Sequence, residues 1–214
     1  MSFRLGIIGS GTGTNFQAIA DAIKTGKMPD IEVAVVISDV EDAYILTRAK
    51  QEGIPAVYIE PGRFKTKLEP EIEKQYIAVL QQYNVDLVVL AGFMRMVKKD
   101  LMDAFPNRII NIHPSLLPAF PGLRSFKQAY DYGSKITGCT VHFIDDGMDT
   151  GPIIGQHAVA VYDDDTPQSV HQRIQEHEHI LYPACIKMIA KGNVAINGRR
   201  VKIKNADKTI NNLL

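Results

Sequence analysis

Short apolar runs alternate with amphipathic segments along the first half of the chain. The runs LGIIG, EVAVVI, AVYI, DLVVLA and RIINI have the length and the content of buried strands. The segments between them repeat apolar residues at the spacing of one helix face. The pattern predicts strands at 5–9, 32–37, 56–59, 86–91 and 108–112, and helices at 15–24, 43–53, 68–83 and 98–104. This alternation predicts an α/β fold, in which a mostly parallel central sheet carries helices on both faces.

The pattern changes after residue 122. The predicted elements there are a helix near 125–132, strands at 138–144 and 153–161, a long helix from Pro167, and a hairpin around Asn197-Gly198. The two strands have no helix between them, so we expect antiparallel C-terminal strands. Thr166 suits the N-cap of the long helix, and Pro167 suits its first position. We expect a single domain over 1–204 and a flexible tail over 205–214.

The composition argues against several classes of protein. Lys and Arg together number 24, as do Asp and Glu, so the net charge of zero argues against a uniformly basic surface for nucleic acid. Cys139 and Cys185 lie in apolar surroundings without C-x-x-C spacing, which predicts buried free thiols in a reducing compartment. The sequence has no signal-peptide pattern and no run near the roughly 20 apolar residues of a membrane span. We expect a cytoplasmic protein with no nucleic-acid or membrane partner.

The segment GSGTGTN at 9–15 follows the first predicted strand and opens the first helix. Backbone N–H groups and the helix dipole favour an anion at such a position. A dinucleotide fingerprint needs glycine or alanine where Thr14 stands, although Asp39 could serve as its ribose-binding acid. A phosphate site made by Gly13, Thr14 and Asn15 fits better, and a tight turn without a ligand is the third interpretation.

The motif NIHPSLLPAFPG at 111–122 places two polar side chains at the end of an apolar run. Side chains alternate along a strand, so Asn111 and His113 are predicted to share one face, and Pro114 keeps His113 extended. An amide beside an imidazole suits a reaction in which a carbonyl oxygen becomes negative, because both groups can donate hydrogen bonds to it. The alternative is that both side chains only cap the strand end.

The segment DDGMDTGP follows the sixth predicted strand and holds three carboxylates. A solvated turn is the favoured interpretation for Asp145 and Asp146. Asp149 lies among turn residues, and a carboxylate near His113 would favour the imidazolium form. The sequence does not show whether Asp149 and His113 meet.

The remaining histidines have mainly structural interpretations. His142 either packs in the interior or lines a site, and His157 is predicted to be structural. The spacing of His171, His177 and His179 lacks the i, i+4 pairing of a helical metal site.

Glu178 falls on the apolar stripe of the long predicted helix, so it is predicted to point inward. A buried acid needs a partner, which is either a ligand or an internal salt bridge.

Two longer motifs, NIHPSLLPAFPG and GCTVHFIDDGMDTGPII, closely resemble the folate-dependent formyltransferases. GSGTGTNFQAI and LAGFMRM are similar to the branch of that family that formylates glycinamide ribonucleotide (GAR). The resemblance runs from about residue 4 to about residue 192. It implies a Rossmann-like formyltransferase fold, with a nucleotide- and phosphate-binding half at 1–110 and a catalytic and folate-binding half at 111–204.

The resemblance also implies a reaction and its residues. The formyl group of the co-substrate 10-formyltetrahydrofolate would pass to the amine of GAR in purine biosynthesis, without a metal. Asn111, His113 and Asp149 match the catalytic positions of the family. The residues that match GAR-binding positions are Gly13, Thr14, Asn15 and Glu178. The residues that match folate-binding positions are Met94, Arg95, Met96, Val97, Asn111, Asp145, Asp146, Gly147, Met148 and Asp149, with Lys67 where some relatives have an arginine.

Other functions stay open on the sequence alone. Some members of the resembled family formylate methionyl-tRNA and others hydrolyse formyltetrahydrofolate. The resemblance implies an additional C-terminal domain in the first group and an N-terminal regulatory domain in the second, and we expect neither in this chain. A nucleotide-binding module without catalysis is the third alternative. The assembly is predicted to be a monomer or a homodimer.

Overall fold

The computed structural model describes residues 2–204, so the predicted flexible tail at 205–214 lies outside the described residues. The chain divides into two compact units, one up to Asn111 and one from Ile112 onward. The fold is α/β, with a mostly parallel central sheet, helices on both faces and antiparallel C-terminal strands, as predicted.

The first unit alternates strands with helices. Its strands are β1 (Phe3–Ile8), β2 (Ile31–Ser38), β3 (Ala56–Tyr58), β4 (Leu87–Leu90) and β5 (Ile109–His113), the last of which runs across the unit boundary. Its helices are α1 (Thr14–Lys24), α2 (Tyr44–Gln51), α3 (Pro70–Gln82) and α4 (Lys99–Ala104). Every element that the hydrophobic pattern predicts in this region is confirmed, with small shifts at the ends.

The strands of this unit are parallel and lie in the order β3-β2-β1-β4-β5. All four residues of β4 are buried, which is why its sequence reads as a continuous apolar run. The chain order reverses on either side of β1, between β2 and β4. In open α/β sheets, ligands bind beyond the carboxyl ends of the strands at such a reversal. Here β1 leads into the glycine segment at 9–15 and β4 leads into 91–98.

The second unit contains antiparallel strands and two helices. Its elements are α5 (Ser125–Tyr132), β6 (Ile136–Phe143), β7 (Ile153–Ala160), α6 (Pro167–Ala190), β8 (Val194–Asn197) and β9 (Arg200–Ile203). β6 pairs with β7 and β8 pairs with β9, both antiparallel, as the sequence predicts. The register of the first pair shifts between Val141 and His142, and such irregularities redirect the side chains that follow them.

The helix α6 begins as its sequence indicates. The Thr166 hydroxyl accepts a hydrogen bond from the Ser169 N–H at 3.1 Å, and Pro167 occupies the first turn. Asp165 is the residue before the cap, and an ion pair between its carboxylate and the Arg173 guanidinium at 2.7 Å holds it in place. The buried stripe of α6 packs against β6 and β7 and contains Cys185, while Cys139 is buried on β6. Both thiols are free, as predicted.

Within residues 2–204, every helix is too short or too polar to cross a membrane.

Candidate active site

His113 and Asp149 meet in the second unit. The Nδ1 atom of His113 lies 3.5 Å from Oδ2 of Asp149. The other ring nitrogen, Nε2, is 2.9 Å from the Phe120 carbonyl oxygen. A carbonyl only accepts hydrogen bonds, so Nε2 carries a proton and donates a hydrogen bond to the Phe120 carbonyl oxygen. Both side chains are mostly shielded from solvent, with 6% of His113 and 14% of Asp149 exposed. Both ring nitrogens of His113 therefore face oxygen atoms of the protein.

Asn111 precedes His113 by two residues on β5, and both lie inside the strand. Alternation along an extended strand gives their side chains the same face, as the sequence predicts. Asn111 is half-buried, whereas the residue between them, Ile112, is buried in the core.

A turn at the end of β6 holds Asp149. The Asp145 carboxylate accepts hydrogen bonds from the Thr150 hydroxyl at 2.6 Å and from the Gly147 N–H at 3.2 Å, so it closes the turn. Asp149 has a left-handed backbone, with φ of 55°. A Cβ atom on Gly151 would lie 1.7 Å from the Phe143 carbonyl oxygen, so only glycine allows the chain to return this closely. The turn therefore fixes Asp149, and the Asp145 carboxylate closes that turn.

The carboxylate of Asp149 has further neighbours. Its Oδ2 accepts a hydrogen bond from the Gly122 N–H at 2.8 Å. Its Oδ1 lies 3.8 Å from Nε2 of His142, a residue that is 1% exposed. His142 donates from Nδ1 to the Phe143 carbonyl at 2.8 Å. Burial lowers the pKa of His142 below its ordinary value, against opposing contributions from the Phe143 carbonyl and Asp149. His142 is therefore neutral near neutral pH and lines the Asp149 cluster.

Buried hydroxyl groups fasten the segment between His113 and Gly122. The Thr140 hydroxyl donates to the Ser115 carbonyl at 2.7 Å and accepts from the Leu117 N–H at 3.0 Å. The Gln156 amide donates to the Leu117 carbonyl at 2.8 Å. These bonds tie the Pro-rich segment to β6 and β7. They hold in place the Phe120 carbonyl and the Gly122 N–H, which contact the two candidate catalytic residues.

The glycine segment in the first unit has the backbone of a helix start without a side-chain cap. Gly13 is the N-cap of α1, with φ of 74° and no side-chain hydrogen bond to the cap among the described residues. A Cβ atom on Gly13 would lie 2.7 Å from Cγ1 of Ile45, so glycine is required there. Gln17 makes the first intrahelical bond, to the Gly13 carbonyl at 2.9 Å. The N–H groups before it point out of the helix, and this favours an anion.

The structure argues against a dinucleotide site at this segment, because Asp39, the candidate ribose-binding acid, is bonded to other side chains. Asp39 is 5% exposed, and its carboxylate accepts from the Ser10 hydroxyl at 2.6 Å and from Nε of Arg95 at 2.6 Å. Both carboxylate oxygens thus have protein partners. The same contacts explain the shape of the segment after β4, because the Met94 N–H also donates to the Ser10 hydroxyl at 3.1 Å.

The predicted folate-binding residues of the first unit lie close together. Lys67 and Met96 form a bridge between adjacent segments, and the Met96 N–H donates to the Thr66 carbonyl at 2.9 Å. Met94 is 56% exposed, whereas Val97 is buried. The Lys67 ammonium lies over the Phe64 ring, 4.3 Å from its centroid, and is exposed. Arg95 is held by Asp39 and by the Phe64 carbonyl, so its guanidinium positions the segment.

Glu178 is buried on α6, with 4% of the residue exposed, as its place on the apolar stripe predicts. It lies close enough to Cys139 and Tyr182 to raise the pKa of both groups, although burial is the larger cause. Burial raises the pKa of Cys139 to about 12, so this thiol stays protonated at neutral pH. The catalytic role therefore does not fall to a cysteine nucleophile at this position.

Comparison with known proteins places this geometry in a family. The formyl transferase family matches residues 3–186. The chain belongs to the formyl transferase family. It is 40% identical to the phosphoribosylglycinamide formyltransferase of Bacillus subtilis (strain 168), over 87% of this chain and 94% of that one. It is 38% identical to the protein of the same name from Escherichia coli (strain K12), over 88% of this chain and 87% of that one.

A solved structure supports the same assignment. The glycinamide ribonucleotide transformylase 1 of Symbiobacterium toebii is similar to this formyl transferase with a TM-score of 0.91 and 48% identity, over 95% of each chain. This agreement extends over both units, so the α/β fold described above is the fold of that enzyme.

Several groups at the site of this formyl transferase are not predicted by the sequence pattern. The Phe120 carbonyl and the Gly122 N–H are backbone groups, which a search for reactive side chains does not consider. Thr140 and Gln156 read as ordinary strand residues. Only His142 gave a usable signal, since a polar ring inside an apolar strand needs a partner.

Proposed function

We propose that this formyl transferase moves the formyl group of 10-formyltetrahydrofolate to the amine of GAR, giving formyl-GAR and tetrahydrofolate in purine biosynthesis. The contact between His113 and Asp149 is the observation that carries the proposal, and Asn111 lies two residues before His113 on the same face of β5. The names of the relatives agree with it.

Asn111 and His113 act on the carbonyl oxygen of the formyl group. The GAR amine attacks the formyl carbon in its unprotonated form, and the oxygen becomes negative in the tetrahedral intermediate. The Asn111 amide donates a hydrogen bond to that oxygen. The Nδ1–H of the protonated His113 ring donates a second one, because its 3.5 Å contact with Asp149 is longer than an ordinary hydrogen bond. Donors placed in advance at a developing oxyanion are among the largest sources of rate enhancement.

Asp149 has two roles in this proposal: it pairs with His113 and it assists a proton transfer. The carboxylate pairs with Nδ1 of His113 and so favours a ring that can donate. When the intermediate collapses, the bond from the formyl carbon to the folate nitrogen breaks. The proton lost by the attacking amine passes to that nitrogen, with Asp149 assisting its transfer. Atoms and charge balance without a covalent enzyme intermediate.

The first unit binds the phosphate of GAR. Gly13, Thr14 and Asn15 offer the N-terminal end of α1 to the anion, and Gly13 allows the backbone close approach. Glu178 binds the polar groups of GAR from α6. Two small reactants held side by side react as if at high local concentration, which supplies much of the remaining rate.

The folate contacts follow the residues matched to the family. Met94 presents an exposed apolar side chain that suits one face of a flat ring, and Lys67 presents an exposed cation that suits an anionic tail. The backbone of 94–97 and of 145–149 supplies polar groups for the ring edges. A lysine at position 67 binds a carboxylate without the two-point geometry of an arginine.

Competing acceptors test this proposal. Purified protein is incubated with 10-formyltetrahydrofolate and either GAR, methionyl-tRNA or water alone, and tetrahydrofolate release is followed by absorbance. We expect rapid turnover with GAR only. Turnover with methionyl-tRNA or with water at a comparable rate would contradict the choice of acceptor, and no turnover with any of them would leave a binding protein.

A further inference from the structure

The Asp149 carboxylate stands between two imidazole rings. Oδ2 faces His113 at 3.5 Å and Oδ1 faces His142 at 3.8 Å. The proposed mechanism uses only the first ring. His142 is the more deeply buried of the two and is fixed by its bond to the Phe143 carbonyl. Because that bond occupies Nδ1 with a proton, any second proton enters at Nε2, the atom that faces Asp149.

We infer that His142 is a positioning residue for Asp149, and that a proton on Nε2 of His142 withdraws this carboxylate from His113. The inference rests on the proposed function. In the neutral ring, Nε2 has a lone pair and donates nothing, so the charge of Asp149 is directed at His113. In the protonated ring, Nε2 becomes a cationic donor, and charge-assisted bonds to a carboxylate are the strong ones. His113 then loses its partner and turnover falls.

The charged groups around His142 set the pH at which this happens. The carboxylates of Asp149 and Asp145, from the turn after β6, favour the protonated ring. His113, at the end of β5, opposes it when charged, and burial opposes it most. The strand residue opposite His142 on β7 is Ile153, which adds no charge. Because burial has the largest effect, the pKa of His142 lies below its ordinary value, and the second proton binds only at a lower pH than for an ordinary histidine.

The test compares turnover of variants with that of the wild type across pH. His142→Asn keeps a donor near the Phe143 carbonyl, and His142→Gln reaches the position of Nε2, but neither side chain titrates. His171→Asn is the matched control, because His171 is a partly buried histidine that stacks on Phe126 of α5 and has a pKa lowered by burial. Dividing each variant's kcat by that of the wild type cancels the titration of the GAR amine.

We expect the kcat ratio of both His142 variants to rise as the pH falls from about 8 to about 5, by up to about tenfold per pH unit once His142 is protonated in the wild type. The ratio for His171→Asn stays flat. A flat or falling ratio for the His142 variants, measured on protein whose circular dichroism and melting match the wild type, overturns the inference.

A second measurement does not depend on turnover. NMR titration of the His142 ring in Asp149→Asn should show a pKa below that of the wild type, because a favourable charge has been removed. An unchanged His142 titration contradicts the inference even if the enzyme is active. Failure of the wild type to use GAR contradicts the proposed function alone.

Discussion

The Nδ1 atom of His113 lies 3.5 Å from Oδ2 of Asp149, across 35 intervening residues that contain α5 and β6. Two independent devices produce this approach. Hydroxyl and amide bonds fasten the segment after His113, and a turn with a left-handed Asp149 returns the carboxylate to it. A left-handed backbone at a non-glycine residue is uncommon and is tolerated where the surroundings enforce it.

Asn111 and His113 can be tested as oxyanion donors. Asn111→Ala or His113→Ala should each lower kcat by about 100- to 1000-fold, the cost of one lost oxyanion donor. Steady-state kinetics with GAR and formylfolate measure it. His171→Ala is the control for loss of a histidine. Near-normal turnover in both variants, with folding intact, would remove the mechanism.

The charge of Asp149 is tested without changing its shape. Asp149→Asn keeps an oxygen that accepts from the Gly122 N–H, but it removes the negative charge beside His113. We expect kcat to fall by about 100-fold or more, within the range for a group that assists proton transfer. Asp131→Asn, an exposed change on α5, should leave kcat unaltered. A fall only in GAR affinity would assign Asp149 to binding.

Two glycines of the segment at 9–15 test whether the proposed phosphate site needs glycine at one particular position. Gly13→Ala forces a left-handed alanine, which costs about 1–2 kcal/mol, against Ile45 at 2.7 Å. It should raise KM for GAR and lower the melting temperature. Gly11→Ala has open space around its Cβ atom and should change both much less. Equal effects in the two variants would argue against a special role for Gly13.

The carboxylate before α6 should contribute stability that depends on pH. The guanidinium of Arg173, with hydrogen bonds from the Tyr162 N–H and the Ser169 hydroxyl, holds the pKa of Asp165 below its usual range. A lowered pKa stabilises the fold above the unfolded-state pKa of about 3.9 and loses that contribution as the pH falls through the folded value. Asp165→Asn should therefore lower the melting temperature more at pH near 7 than at pH near 3.

A melting temperature difference that stays constant across that range would show that Asp165 acts through hydrogen-bond geometry rather than through charge. Asp163→Asn is the comparison, because its exposed ion pair with Lys135 should contribute little at either pH.

The hydrophobic pattern predicts the strands and helices because most of their apolar positions are buried in the structure. It also predicts that Asn111 and His113 share a face, since that follows from strand geometry alone, and that Glu178 points inward. These inferences use only spacing within one element.

Contacts between distant segments cannot be predicted from spacing within one element. Arg95 and Asp39 pair across 56 positions, and the glycine segment alone did not indicate that Asp39 had a partner. The approach of His142 to Asp149 depends on a register shift after Val141 and on a left-handed residue, which no periodicity encodes. The sequence therefore predicted the presence of the candidate residues better than their partners.

Two threonines on β6 test whether the buried hydroxyl bonds position the site. Thr140 donates to the Ser115 carbonyl and accepts from the Leu117 N–H, whereas the buried hydroxyl of Thr137 has no hydrogen-bond partner within residues 2–204. Thr140→Val leaves buried backbone groups unpaired and should destabilise the fold by about 1–3 kcal/mol. Thr137→Val removes an unsatisfied hydroxyl and should be neutral or stabilising.

Turnover distinguishes positioning from stability alone. If Thr140 holds the segment that carries the Phe120 carbonyl, kcat of Thr140→Val should fall well below the wild type at a temperature where both proteins are fully folded. Chemical denaturation measures the free energy of unfolding and steady-state kinetics measures kcat on the same samples. A loss of stability with unchanged kcat would show that His113 keeps its orientation without Thr140, and the control variant excludes a general effect of valine on this strand.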